Sequence, residues 1–388
     1  MIWLIALCSA IILAIDYLIA GRLSPLNRKI YLTIMGVVDT LPIITSVIGL
    51  VIPDNTTPIV IISMWAMYVY MILAIARTPL SLAVLFTNKA IWRVAGGAVS
   101  CAMVALFLYG MVVTRVDYRV NSIVVSSQRL PKSFDGYRVV QISDLHVGTM
   151  LSPEEELQKV VSICNELNAD MIAYCGDLVN IRHDELTEGV VGELAKLRAT
   201  DGVYSITGNH DIGVYIKDSI TLTPERNLMH IRDAKQRMGW VLVDDKTLHI
   251  TRGADSIAIT GIGFNRQLQE KRHSSSLPDV DITKAYEGVS KELFNITLVH
   301  APQLWDKILQ DNLADLTLSG HVHAMQMKFP IGKRGLSPSM LLYKRWSGLY
   351  QEQGRTLYIN DGIGYVLYPM RLGTAYPEIT LLELRHTE

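Results

Sequence analysis

Before about residue 114 the chain is a series of long apolar runs. After about Asn121 short apolar runs alternate with amphipathic ones. Residues 1–20, 30–52, 58–76 and 94–113 carry almost no charge, and each is long enough to cross a hydrocarbon core about 30 Å thick. Four such runs in succession predict an all-α transmembrane region of four helices over residues 1–114. The first run lacks a basic start and a small-residue cleavage site, which argues against a signal peptide.

Lys and Arg are expected in excess in cytoplasmic loops. Arg22, Arg28 and Lys29 follow the first run, and Arg77, Lys89 and Arg93 follow the third, whereas the loop 53–57 has no basic residue. The N-terminus and everything after residue 114 are therefore expected outside the cytoplasm. Arg115 and Arg119 pull against that assignment. Asp39, followed by Pro42, interrupts the second run. A carboxylate at that depth is costly, and we expect it protonated or hydrogen-bonded between helices, against a Tyr or Thr; a functional role is the alternative. Asp16, near a helix end, is expected to reach the interface.

Residues 115–135 read as a linker and first strand, and 136–388 as an α/β domain. Strand-like runs fall at Ile123–Ser126, Arg138–Ile142, Met171–Tyr174, Val203–Ile206, Ile257–Thr260, Ile296–Val299 and Leu316–Leu318. Helices are expected from Ser152 to about Leu167, over Glu185–Arg198 and over 225–238. The first opens on a Ser cap, with Pro153 at its first position and Glu155 three residues after the cap. The strand–helix rhythm through residue 206 predicts parallel pairing at the centre of a sheet. Gln267–Lys291, with Ser274-Ser275-Ser276, reads as a polar insertion. Residues 331–350 mix Lys333, Arg334, Lys344 and Arg345 with Met340, Leu341, Leu342, Tyr343, Trp346 and Tyr350. This suits either a surface touching lipid headgroups or a strand pair with a basic edge.

Composition narrows the class. The 49% hydrophobic content is concentrated before residue 114, and a net charge of −1 excludes an ordinary nucleic-acid binder. Four scattered cysteines make neither a disulfide framework nor a thiolate metal site.

Five segments carry the chemistry: Asp144-Leu145-His146, Gly176-Asp177, Gly208-Asn209-His210-Asp211, the lone His300, and Gly320-His321-Val322-His323. Each follows a strand-like run, where loops of an α/β domain present functional side chains. They hold five of the ten histidines. Phosphate esters resist hydrolysis because anionic oxygens repel a nucleophile. Two cations about 3.5–4 Å apart bind those oxygens and turn a bridging water into hydroxide. Such a pair needs mixed carboxylate and imidazole ligands with one bridging carboxylate. In Asp144-x-His146 and His321-x-His323, a two-residue spacing places both side chains on one side of an extended segment.

The ordered set resembles the metal-binding blocks of the calcineurin-like metallophosphoesterase superfamily over residues 136–383. The ending Leu372-Gly373-Thr374-Ala375-Tyr376-Pro377-Glu378-Ile379-Thr380 is similar to its membrane-associated bacterial, YkuE-like branch. The resemblance implies a four-layer αββα sandwich and a metal-dependent phosphoesterase (phosphodiesterase or phosphomonoesterase) anchored in a bacterial inner or cell membrane. It implies one metal on Asp144, His146, Asp177 and His323 and a second on Asp177, Asn209, His300 and His321. His210 would then assist the leaving group, with Asp211 orienting its ring. Nitrogen and oxygen donors without thiolate fit manganese, iron or zinc. The expected partners are a phosphoester substrate, lipid-linked in one version, and membrane lipids, with no nucleic acid. Asn180, Arg182, His183 and Arg371 are candidates for shaping the substrate pocket. Cys175 reads as a buried strand residue. A transporter or receptor module carrying a regulatory phosphoesterase domain is the alternative.

Overall fold

The computed structural model describes residues 2–51, 57–217, 222–271, 280–332, 335–366 and 369–388. The loop 53–56, Ser274-Ser275-Ser276 and the pair Lys333-Arg334 lie outside the described residues. The chain divides into two compact units, Met1–Val113 with Leu367–Met370 and Thr114–Val366 with Arg371–Glu388.

In the first unit the apolar runs form α1 (Ile2–Ala20), α2 (Pro25–Val51), α3 (Thr57–Ala76) and α5 (Ala90–Val112). A further helix, α4 (Thr78–Phe86), fills a stretch expected to be a loop, with Pro79 in its first turn. Among the described residues, Tyr68–Phe86 and Ala90–Val116 are long and apolar enough to cross a membrane, and Ala10–Ala20 is a shorter apolar helix. Arg77 is not a free loop charge. Its Nη2 lies 2.8 Å from Asp16 Oδ2 and 3.0 Å from Asp39 Oδ1. The Tyr31 hydroxyl donates to Asp16 Oδ1 at 2.7 Å. Both carboxylates are buried. Asp39 is hydrogen-bonded between helices as expected, with Arg77 in place of a Tyr or Thr, and Asp16, expected to reach the interface, instead takes the Tyr31 hydroxyl and the same guanidinium. A desolvated carboxylate needs an opposite charge, and one guanidinium serves both.

The second unit is built on two six-stranded sheets. The first contains β1 (Arg119–Ser127), β2 (Tyr137–Ile142), β3 (Met171–Tyr174), β4 (Val203–Ser205), β5 (Val241–Leu242) and β14 (Glu378–His386), in the order β1-β14-β2-β3-β4-β5. The second contains β6 (Lys246–Arg252), β7 (Asp255–Ile262), β8 (Phe294–Val299), β9 (Leu316–Ser319), β11 (Gly348–Glu352) and β12 (Arg355–Ile359), in the order β11-β12-β9-β8-β7-β6. A small pair joins β10 (Met327–Lys328) to β13 (Leu372–Gly373). As the rhythm of the sequence predicts, β2, β3 and β4 pair in parallel, and so do β7, β8 and β9.

The packing is layered. Side chains alternate across each strand, so Val139, Met171, Ala173 and Leu382 of the first sheet meet Ile257, Ile296 and Leu316 of the second between the sheets. On the other face of the first sheet, Val140, Ile142 and Ile172 pack on α6 (Pro153–Glu166), α7 (Glu188–Leu194) and α8 (Pro224–Arg237) through Val160, Val191 and Ile231. The outer face of the second sheet covers Leu268 of α9 (Arg266–Lys271) and Trp305 and Ile308 of α10 (Trp305–Gln310). Strands buried on both faces read as unbroken apolar runs, which is why these were legible.

Two local expectations fail. Ser152 makes no side-chain cap. Instead Glu156 Oε1 accepts from the Leu151 and Ser152 amides while Glu156 pairs with buried Arg115 at 3.0 Å. Among the described residues of 331–350 no two strands pair with each other; Leu336 makes an isolated bridge to Phe329, and Gly348–Tyr350 belong to β11, which pairs with β12. Between Leu336 and the start of β11 lies a 3-10 turn, Pro338–Leu341.

Candidate metal centre

Each of the five segments leaves the C-terminal end of a parallel strand: β2, β3 and β4 in one sheet, β8 and β9 in the other. The loops are stitched together by backbone. The Asp144 amide donates to the Gly176 carbonyl at 2.9 Å and the Gly320 amide to the His300 carbonyl at 3.2 Å. The His321 amide donates to Asp144 Oδ2 at 3.0 Å, tying the two sheets across the site. Asp177 Oδ1 accepts the His210 amide at 2.8 Å. A Cβ on Gly208 would collide with the Asp177 carboxylate, and one on Gly320 with Ser143 and Asp144, so both positions require glycine for close approach.

The two-residue spacings do not act through extended chain. Asp144, His146, Asp177, His321 and His323 have φ of 55°, 42°, 58°, 75° and 53°. Left-handed backbone is costly for residues with a Cβ and concentrates at functional sites. Here it turns side chains from both sheets inward, where continued strands would have carried them apart.

The side chains converge on two clusters, with a third group, His146, Asp177 and His210, sharing a residue with each. In one, ligand atoms of Asp144, His146 and His323 lie within 4.8 Å of one another; in the other, those of Asp177, His300 and His321 do. Asp177 Oδ2 reaches toward both, 3.6 Å from His146 Nε2 and 3.2 Å from His300 Nε2. Asn209 joins the second cluster through Oδ1, 2.9 Å from His300 Nε2. All seven expected ligands are thus gathered in one place, together with His210, whose ring stands edge-on to His146 at 4.6 Å.

The donor set fits cations. His300 Nδ1 faces the Cys175 carbonyl at 2.8 Å, an acceptor that takes the Nδ1 hydrogen and leaves Nε2 as a lone pair. Asn209 Nδ2 donates to the Tyr215 hydroxyl at 3.1 Å, which turns its Oδ1 inward. Lone pairs of His300, Asn209, Asp177 and His321 then face one point. Burial opposes charge on His300, yet the Asp177 carboxylate raises it to about 9, so the field there calls for positive charge. Burial also opposes ionisation of Asp177 and Asp144. The His300 and His210 charges hold the first well below its ordinary range, and His323 holds the second below. His146 is pushed well down by burial and then by His210; His321 is pushed to about 3 by burial and then by His300. Ionised Asp144 and Asp177 beside neutral His146 and His321 are what divalent cations bind, and at His300 Nε2 a cation would take the place of the proton.

Several assignments change. Asp211 does not touch the ring of His210. Its Oδ1 accepts from the Leu178 and Val179 amides and its Oδ2 from Gly208, with buried Lys235 Nζ 3.6 Å away. The partner of His210 Nδ1 is the Asn180 carbonyl, at 2.5 Å. Arg371 is fully buried and donates to the carbonyls of Asp361, Gly362, Gly364, Ala375 and Tyr376, so it cannot meet a phosphate. Arg182 and His183 both pair with Asp184. Cys175 is buried, as its apolar run predicts. Tyr215, its ring tilted by 32° and 4.3 Å from that of His210, has no sequence signal at all.

Residues 137–325 match the calcineurin-like phosphoesterase family. The "uncharacterized metallophosphoesterase YkuE" of Bacillus subtilis is 31% identical over 68% of this chain and 84% of its own length. The chain belongs to this family and is a hydrolase. A "transmembrane protein with metallophosphoesterase domain" of Danio rerio is 30% identical over 72% of this chain, but the match spans only 60% of that protein. UDP-2,3-diacylglucosamine pyrophosphatase LpxG of Chlamydia trachomatis is 27% identical over 61% of this chain and 81% of its own length.

Proposed function

We propose that the chain is a membrane-anchored phosphohydrolase working with two divalent cations, one on Asp144, His146, Asp177 and His323 and one on Asp177, Asn209, His300 and His321. The observation that carries this reading is Asp177 Oδ2, standing between His146 and His300 as a bridging carboxylate must. Bound there, manganese, iron or zinc would neutralise phosphoryl oxygens and acidify an attacking water.

The residues do the rest. Asn180 holds the Nδ1 hydrogen of His210, so protons are exchanged with the leaving group through Nε2. Tyr215 keeps Asn209 turned inward. A cavity of about 260 Å³ lined by Thr207, Ile212, Arg232, Asp244 and Phe264 offers room for one substituent of the ester. Its wall Phe264 sits edge-on to His300 at 5.8 Å.

The substrate we assign is a phosphoester, with a lipid-linked one favoured by the relation to LpxG and by the apolar helices. We assign residues 1–114 to four membrane spans, 115–135 to a linker and first strand, and 136–388 to the catalytic domain. Discounting paired charges removes Arg115, buried against Glu156, from one side and Arg77 from the other; Arg22, Arg28, Lys29, Lys89 and Arg93 then still support the extracytoplasmic placement. Purified protein reconstituted with Mn²⁺ is expected to hydrolyse an aryl phosphodiester, and Asp177→Asn to lower turnover about 10³-fold or more. Intact metal binding with no turnover of any phosphoester would reject the enzyme.

A further inference from the structure

At the rim of the site a short apolar lip stands in the open. Met340, Leu341 and Leu342 are 50%, 83% and 63% exposed, and Ile331 and Leu336 beside them in the chain are exposed as well. Three consecutive large aliphatic side chains at the tip of a turn are unusual on a protein surface, and such patches mark interaction sites. The lip is held firmly. The Ser337 hydroxyl accepts from the Ser339 amide at 3.1 Å and donates to the Ala324 carbonyl at 2.7 Å, next to His323. The Tyr343 amide closes the turn on the Ser339 carbonyl at 2.9 Å. Tyr343 then lies edge-on to His321, 6.2 Å between ring centres, so the lip is continuous with the candidate metal centre.

We infer that this lip inserts into a lipid surface and places a membrane-borne phosphoester at His321. The inference deepens the function proposed above and rests on it. Two observations select a bilayer over a protein partner. The same chain carries apolar helices long enough to cross a membrane, so a lipid surface is always within its tether. The lip also has the amphipathic order of an interfacial segment: an aliphatic tip, then aromatic Tyr343, then Lys344, whose side chain is 60% exposed and reaches Asp306 at 3.2 Å.

The test uses the full chain in phosphatidylcholine and phosphatidylglycerol vesicles, with Cys8→Ser and Cys101→Ser in the background. A solvatochromic label on Leu341→Cys is expected to shift to the blue and to be quenched by doxyl-labelled lipid. The same label on Lys196→Cys, an exposed control, should do neither. A Leu341 label as water-exposed as the control overturns the inference. So does a label that is shielded but unquenched, because a second copy or another protein then covers the lip. The label decides the lip even where no ester is turned over. Where turnover is present, Leu341→Asp should raise the KM for a phosphodiester lipid in vesicles about tenfold or more, leaving that for a soluble aryl phosphodiester unchanged. Equal effects on both substrates would also overturn it.

Discussion

His146 and His323 face each other through their Nε2 atoms, 3.2 Å apart and buried, although 177 residues separate them in the chain. Both Nδ1 atoms are buried with no hydrogen-bond partner among the described residues. Two imidazole nitrogens at that distance can share one proton or one cation. With Asp144 Oδ1 3.2 Å from His323 Nε2, a cation is the better match. His323→Ala should therefore lower the bound metal from two equivalents to one, measured by mass spectrometry of desalted protein. Two equivalents retained would separate His323 from the site.

In the proposed two-cation site Tyr215 would act on metal affinity by holding Asn209, whose Nδ2 donates to its hydroxyl. Tyr215→Phe removes the acceptor for the Asn209 amide hydrogens and lets the side chain turn. Loss of such an outer contact weakens binding about 10–100-fold. Titration with Mn²⁺ should show this for one of two sites, with thermal stability unchanged. Two unaltered affinities would reduce Tyr215 to packing.

His210 and Asp211 are neighbours with separate duties. His210→Gln should lower kcat about 10²–10⁴-fold with both metals retained, since it removes only proton exchange. Asp211→Asn takes an anion from three backbone amides and from buried Lys235, and should instead cost about 1–3 kcal/mol of stability. If Asp211→Asn matched the kcat loss of His210→Gln at full stability, Asp211 would return to the catalytic set.

Glu185 makes stability depend on pH. Burial raises its carboxyl to about 7, against the pull of backbone amides of Asn180, Ile181, Arg182 and Gly148. The folded value lies above the unfolded one, near 4.5, so folding favours the protonated form. That contribution is complete below pH 4.5 and is lost as pH rises through about 7. It amounts to something on the order of 3 kcal/mol. Thermal melts of the wild type should fall more steeply than those of Glu185→Gln over this interval. Parallel curves would contradict the assignment.

Arg77 is the one cation facing Asp16 and Asp39 among the described residues of the first unit. Arg77→Met leaves two buried carboxylates without it and should destabilise the detergent-purified protein by about 3–5 kcal/mol. Adding Asp16→Asn and Asp39→Asn should recover most of the loss. An unchanged melt in the single variant would mean that water already reaches the pair.

The sequence alone determined much of this protein. Apolar runs buried on both faces, such as Met171–Tyr174 and Ile296–Val299, identify their strands without help. Histidines and aspartates placed directly after such runs mark the candidate ligands that the fold brings together, because a loop leaving a parallel strand is where chemistry can be exposed. Segments half exposed or only a few residues long escaped: β6 and β11 present polar faces, and β5 spans just two residues. Tertiary structure alone decided which partners meet. Asp211 and Asn180 both lie close to a motif in the chain, yet only the fold turns the Asn180 carbonyl to His210 and Asp211 to three amides. The same holds for Arg371, drawn inside by five carbonyls, and for Arg77, folded back between Asp16 and Asp39. Residue type and spacing set what a side chain can do; hydrogen bonds and charges across long sequence separations choose what it does.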